Sequence, residues 1–191
     1  MKASRRTLSL AAAATVVAAV GIQQVRAAAT VEADYYSPLE AFGDVCIKSA
    51  DHGEMLRKVR IEGWERLEGD AVPAMVQGNG MVRLAEVRRG QIAGQPVILA
   101  VGELSGTSFC HVYFHAVDKA AMEKQLRYVK VLGSPLSLPD FRGPLNFPEG
   151  WSAVGWHRVV GQDWRALHYK FDPDGHGPNA AWQSIEITRQ V

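Results

Sequence analysis

The chain has 191 residues, 21 basic against 20 acidic side chains for a formal net charge of +1, 47% hydrophobic residues and two cysteines. Four basic residues (Lys2, Arg5, Arg6 and Arg26) fall in the first 28 positions, so residues 29–191 hold 17 basic and 20 acidic groups, a net charge of −3. That balance argues against a nucleic-acid binder, and nothing beyond residue 28 is long and apolar enough to span a bilayer.

Residues 1–28 read as a cleavable export signal. Lys2, Arg5 and Arg6 form a positive start, Leu8 to Ile22 runs without a charge, and small residues at Ala27 and Ala29 suit a signal peptidase. The stretch Ser4-Arg5-Arg6-Thr7-Leu8-Ser9-Leu10 resembles a twin-arginine signal. Ordinary secretory signals also carry Arg-Arg, so both export routes stay open. The expected destination is the periplasm or the exterior, with residues 29–191 forming a single exported domain.

Next come helix signals. Ser37-Pro38-Leu39-Glu40 combines a cap, a first-turn proline and an acidic residue at the capping-box position. Leu39, Phe42 and Cys46 recur at helical spacing, which turns Cys46 toward a core. Asp51-His52-Gly53-Glu54 repeats the cap pattern and predicts a second helix to about Glu62, stopped at Gly63. Residues 69–80 read as a turn region ending in Asn79-Gly80.

Three strands are predicted at about 81–89, 96–104 and 107–116. In the third, Cys110, Val112 and Phe114 share one face, and His111, Tyr113 and His115 the other. Asp118 then caps a predicted helix to about Leu132. Residues 133–150 are rich in proline and glycine and suit neither helix nor central strand; a wrapped crossover between two halves of a sheet fits them. Three further strands are predicted at about 151–160, 164–172 and 181–190. The resulting order, ααβββαβββ, predicts an α+β fold: an antiparallel sheet of about six strands with about three helices on one face.

Cys46 and Cys110 are the two cysteines. In an oxidising compartment an isolated pair predicts one disulfide, against the alternatives of two buried thiols or one reactive thiol. The pattern Phe42-x-x-x-Cys46, Gly63-Trp64 and Cys110-x-Val112, over about 70 residues, resembles small uncharacterised exported proteins of proteobacteria, in which a helix and a strand carry the cysteine pair. That resemblance implies an α+β domain and no particular activity.

Catalytic motifs are missing: no Gly-x-Ser-x-Gly elbow, no His-Glu-x-x-His, no phosphate loop. His111 and His115 share a strand face but lie about 13 Å apart, too far to ligate one ion unless His157 or His168 joins from a neighbouring strand. Asp172-Pro173-Asp174-Gly175 places oxygens at alternating positions, as calcium loops do, yet a turn accounts for it equally well. No catalytic residue, metal ligand or cofactor is assigned.

An aromatic and polar sheet face stands out. Trp164, His168 and Lys170 alternate opposite Leu167, Tyr169 and Phe171, and Trp182, Ser184 and Glu186 opposite Ile185 and Ile187. Trp156 and Arg158 join this face if the register of their strand allows. We therefore expect Trp156, Arg158, Trp164, His168 and Trp182 to form a binding surface for a protein or a small envelope ligand. The alternative is a small periplasmic hydrolase or metal-dependent enzyme using His111, His115, His157 or His168.

Overall fold

Three hairpins of this protein close on a residue–glycine pair in the left-handed region: Ala93-Gly94, Ser105-Gly106 and Leu132-Gly133. Such two-residue turns match the twist of the strands they join, so the chain folds back on itself at once and builds an antiparallel sheet. The computed structural model describes residues 29–78, 82–115, 118–146, 148–177 and 179–190. The export signal and the Asn79-Gly80 turn lie outside the described residues.

The strands are β1 (Glu65–Arg66), β2 (Val82–Ile92), β3 (Gln95–Leu104), β4 (Thr107–His115), β5 (Lys130–Val131), β6 (Ser134–Pro135), β7 (Phe141–Pro144), β8 (Ser152–Val160), β9 (Asp163–Phe171) and β10 (Trp182–Gln190). Eight form one sheet in the order β1-β2-β3-β4-β10-β9-β8-β7, and β5 with β6 makes a separate hairpin. All strand pairs are antiparallel. The sheet is thus two meanders joined along β4 and β10.

The helical pieces are short: α1 (Pro38–Ala41), a π-helical turn at Phe42–Ile47, α2 (His52–Lys58), a 3-10 turn at Gly69–Ala71, α3 (Ala74–Gln77) and α4 (Lys119–Leu126). The caps are as the sequence suggests. Ser37 accepts from Glu40 N, Asp51 from Glu54 N and Asp118 from Ala121 N. The helices stop early for identifiable reasons. Val31 N donates to the Arg60 carbonyl and the Val31 carbonyl accepts from Glu62 N, a bridge that pulls Arg60–Glu62 into extended chain after α2, and the β5–β6 hairpin takes over the residues beyond α4.

The expected fold class is therefore corrected. The protein is a mostly antiparallel β structure, with an eight-stranded sheet where six strands were expected and, among the described residues, no α-helix longer than eight residues. The helical pieces also cover both faces. On one, β3, β4, β8, β9 and β10 present Leu99, Val112, Trp156, Leu167, Tyr169 and Ile185 to Phe42, Cys46, Met55, Met122 and Leu126. On the other, Leu67, Val72, Met75 and Val76 cover Ile98, Ala100 and Tyr113.

Cys46 and Cys110 form a disulfide across 64 residues, tying the π-helical turn to the middle of β4. Residues 118–140 lead to the far edge of the sheet, where Pro144 is tolerated in edge strand β7.

Candidate binding cleft

The register of the long strands draws one row of side chains across the second face. His111 on β4 lies opposite Glu186 on β10, Glu186 opposite His168 on β9, and His168 opposite Gly155 on β8. Directly opposite positions on one face bring side chains into contact, and here they converge on the Glu186 carboxylate. His111 Nε2 and Lys170 Nζ both meet its Oε2. His168 Nδ1 is 3.6 Å from Oε1, and Thr188 Oγ1 donates to Oε1 at 2.9 Å.

Two glycines shape this row. At Gly155 a Cβ would lie 2.7 Å from His168 Cδ2, so the imidazole can lie over β8 only because that position has no side chain. At Gly102 a Cβ would lie 2.3 Å from the Arg83 carbonyl and 2.7 Å from the Phe109 ring. Phe109 rests there, with its centroid 4.9 Å from that of His111.

The electrostatics follow from burial. Glu186 is 9% exposed. Burial is the largest influence on its carboxyl and opposes the charge, but the contacts with His111 and Lys170 outweigh it and hold the group well below the usual carboxylate range. Burial pushes the His111 imidazole down, against the pull of Glu186, so the ring is neutral at neutral pH. Facing a carboxylate, that neutral ring carries its proton on Nε2, and Nδ1 accepts from Tyr113 OH at 2.7 Å. Burial and the Glu186 charge keep the Tyr113 phenol protonated.

Above these groups lies a cleft of about 170 Å³, with Met75 and Val76 on one side, Trp151 on another, and Leu104 and Phe109 beside the floor. Ser184, opposite both Tyr113 and Lys170 in register, also lines it. Its Oγ is buried and has no hydrogen-bond partner. A larger open hollow of about 510 Å³ adjoins Glu86, but that carboxylate is taken by Arg60, Arg66 and Arg88 at 2.9–3.3 Å.

Of the five residues expected to form a binding surface, three share this face. His168 reaches the Glu186 centre. Trp182 stacks edge-on with His115 at 4.4 Å, and Trp164 faces His157 at 6.3 Å. Trp156 and Arg158 do not belong with them. The pairing Trp156↔Leu167 and Arg158↔Arg165 puts both on the opposite face, where Trp156 is fully buried and donates Nε1 to the Ser137 carbonyl at 3.0 Å. They anchor the crossover.

The histidines split in the same way. His111 and His168 converge, but on a carboxylate already paired with an ammonium; His115 meets Trp182 edge to face and His157 stacks with Trp164. Among the described residues no group of three or more His, Cys, Asp or Glu is placed to hold a metal ion. The Asp172 loop is a turn held from within. Both carboxylate oxygens accept backbone N–H groups, from Asp174 and Gly175 at 2.9 Å and from Gly177 at 2.8 Å.

Glu186, Lys170 and Ser184 went unassigned as site residues, although their alternation is visible in the sequence. What they lacked was strand order, because only the insertion of β10 between β4 and β9 unites them. No protein-family model matches the chain, and no curated protein or solved structure matches it either. The functional reading therefore rests on the cleft itself.

Proposed function

We propose that this is an exported binding protein of the cell envelope that holds a small molecule in the cleft over β4, β10 and β9. The observation that carries the reading is the floor of that cleft: a buried, fully engaged polar cluster around Glu186 beneath apolar walls drawn from separate parts of the chain. A concave, mainly apolar site with few convergent polar groups is the usual form of a ligand pocket. The engagement of the cluster favours binding over catalysis. Both ring nitrogens of His111 are occupied, and Lys170 and Glu186 neutralise each other.

The proposed address rests on the amino-terminal signal, and the Cys46–Cys110 disulfide suits an oxidising compartment. No helix among the described residues is long and apolar enough to cross a membrane.

The test is a thermal-shift screen of small polar and apolar fragments against the native protein and a Leu104→Trp variant that fills the cleft. Binders that stabilise the native protein and lose their effect in the variant support the reading. Stabilisation that survives the bulky tryptophan contradicts it.

A further inference from the structure

The cleft has a size, a charge state and one unsatisfied group, and together they specify a ligand class. This inference rests on the binding reading above. Its volume is about 170 Å³. A protein cavity of about 150 Å³ accommodates a benzene ring, so the space suits a single ring with one small substituent.

Charge narrows the choice. The two ionised groups on the floor, Lys170 and Glu186, are in contact with each other. An anionic ligand would meet the Glu186 carboxylate, and a cationic one would meet the Lys170 ammonium. Neither finds an unpaired counter-charge, so bringing in a charge costs desolvation without compensation.

Polarity narrows it further. Ser184 is 1% exposed and lies under the cleft on the same face as Glu186, and its Oγ is buried without a hydrogen-bond partner. Buried hydroxyls are nearly always hydrogen-bonded. A wholly apolar ligand would leave this one unsatisfied, whereas a hydroxyl or carbonyl head that reaches it through the floor would complete it. Phe109, Leu104 and Met75 offer the apolar surface for the rest of the molecule.

We propose that the cleft takes an uncharged, single-ring amphiphile of the phenol or small aromatic alcohol class, its ring against Phe109, Leu104 and Met75 and its oxygen on Ser184 Oγ. Tyr113 and His111 are already bonded to each other, which leaves Ser184 to read the polar head.

The experiment is calorimetric titration of the purified protein with four probes: phenol, toluene, benzoate and benzylamine. Phenol is expected to bind roughly fivefold to tenfold more tightly than toluene, the margin of one neutral hydrogen bond, and both ions more weakly than phenol. Ser184→Ala should bring phenol down to the level of toluene and leave toluene unchanged. Ser184→Thr, which keeps the hydroxyl, should retain the phenol preference and guards against a misfolded alanine variant. Benzoate or benzylamine binding as tightly as phenol would overturn the ligand class. So would a phenol-to-toluene ratio unmoved by Ser184→Ala, or failure of all four probes while other fragments are still blocked by Leu104→Trp. In those three outcomes the cleft survives as a site. If no molecule of any class is sensitive to Leu104→Trp, the binding reading fails with the class.

Discussion

Glu186 on β10 lies directly opposite His111 on β4, and the imidazole Nε2 meets the carboxylate Oε2 across the central strand pair of the sheet. This is where the two meanders join, so the pairing belongs to the site and to the fold at once. The Cys46–Cys110 bond fastens the other face of the same strand. Cys110 and His111 are adjacent in sequence and point opposite ways, as strand geometry requires.

Removing one partner of the Glu186–Lys170 pair should be costly. The side chains keep only 11% and 19% exposure, and a stranded buried charge typically costs about 3–5 kcal/mol. Glu186→Gln is expected near the lower end, since Lys170 retains some solvent. The double variant Glu186→Gln with Lys170→Met should recover much of that loss, read as a coupling in a urea-denaturation cycle. Strict additivity of the two single changes would show that the pair does not interact.

The same centre sets a pH dependence. The His111 pKa is lowered in the folded state, so below its ordinary value of about 6.5 the unfolded chain binds a proton that the folded one refuses. Stability therefore falls as pH drops through that window. The depressed Glu186 carboxyl adds a second loss at lower pH, beginning at its ordinary value and continuing down through its folded one. In His111→Gln the upper part of the decline should flatten while the lower part persists. Denaturation midpoints measured from pH 7.5 to 4 would check it, and an identical profile in the variant would contradict the assignment.

Two glycine substitutions should differ in a predictable way. Gly102→Ala drives a methyl into a backbone carbonyl at 2.3 Å, which cannot rotate away; Gly155→Ala meets an imidazole edge at 2.7 Å, which can. Overpacking of this kind costs about 1–3 kcal/mol. Gly102→Ala is expected at the upper end and Gly155→Ala at the lower end, with His168 displaced from Glu186. Comparing melting temperatures tests the ranking, and the His168 ring NMR signals report its displacement.

Loss of the disulfide should act on stability without redrawing the sheet. Closing a loop of 64 residues is worth about 4 kcal/mol in the chain-entropy account. The double variant Cys46→Ala with Cys110→Ala is expected to lose about 2–4 kcal/mol by denaturant unfolding, with its far-ultraviolet spectrum retained. A variant as stable as the native protein would contradict the clamp.

Much of this fold is legible in residue order. The six long strands fall within a few residues of where period-two alternation and turn dipeptides put them, and Ser37, Asp51 and Asp118 cap as their types suggest. Helix lengths are not legible, because tertiary pairing overrides local preference. The Val31–Ile61 bridge ends the structure that begins at Asp51, and the Leu132-Gly133 turn claims residues that continue the α4 pattern. β1 and β7 are short edge strands with too few residues to show a period. Nor does sequence tell which strands are neighbours. Trp156 and Trp164 look alike on paper, yet one is fully buried in the core and the other lies on the opposite face beside His157.

The central claim is that the cleft floored by Glu186 and Ser184 takes a small molecule of the phenol class. The most direct measurement is an amide chemical-shift map recorded while phenol is titrated into isotope-labelled protein. The account predicts saturable shifts centred on His111, Tyr113, Lys170, Ser184 and Glu186, with β1 and the β8–β9 turn unmoved. Shifts that centre elsewhere, or none at all, would contradict it.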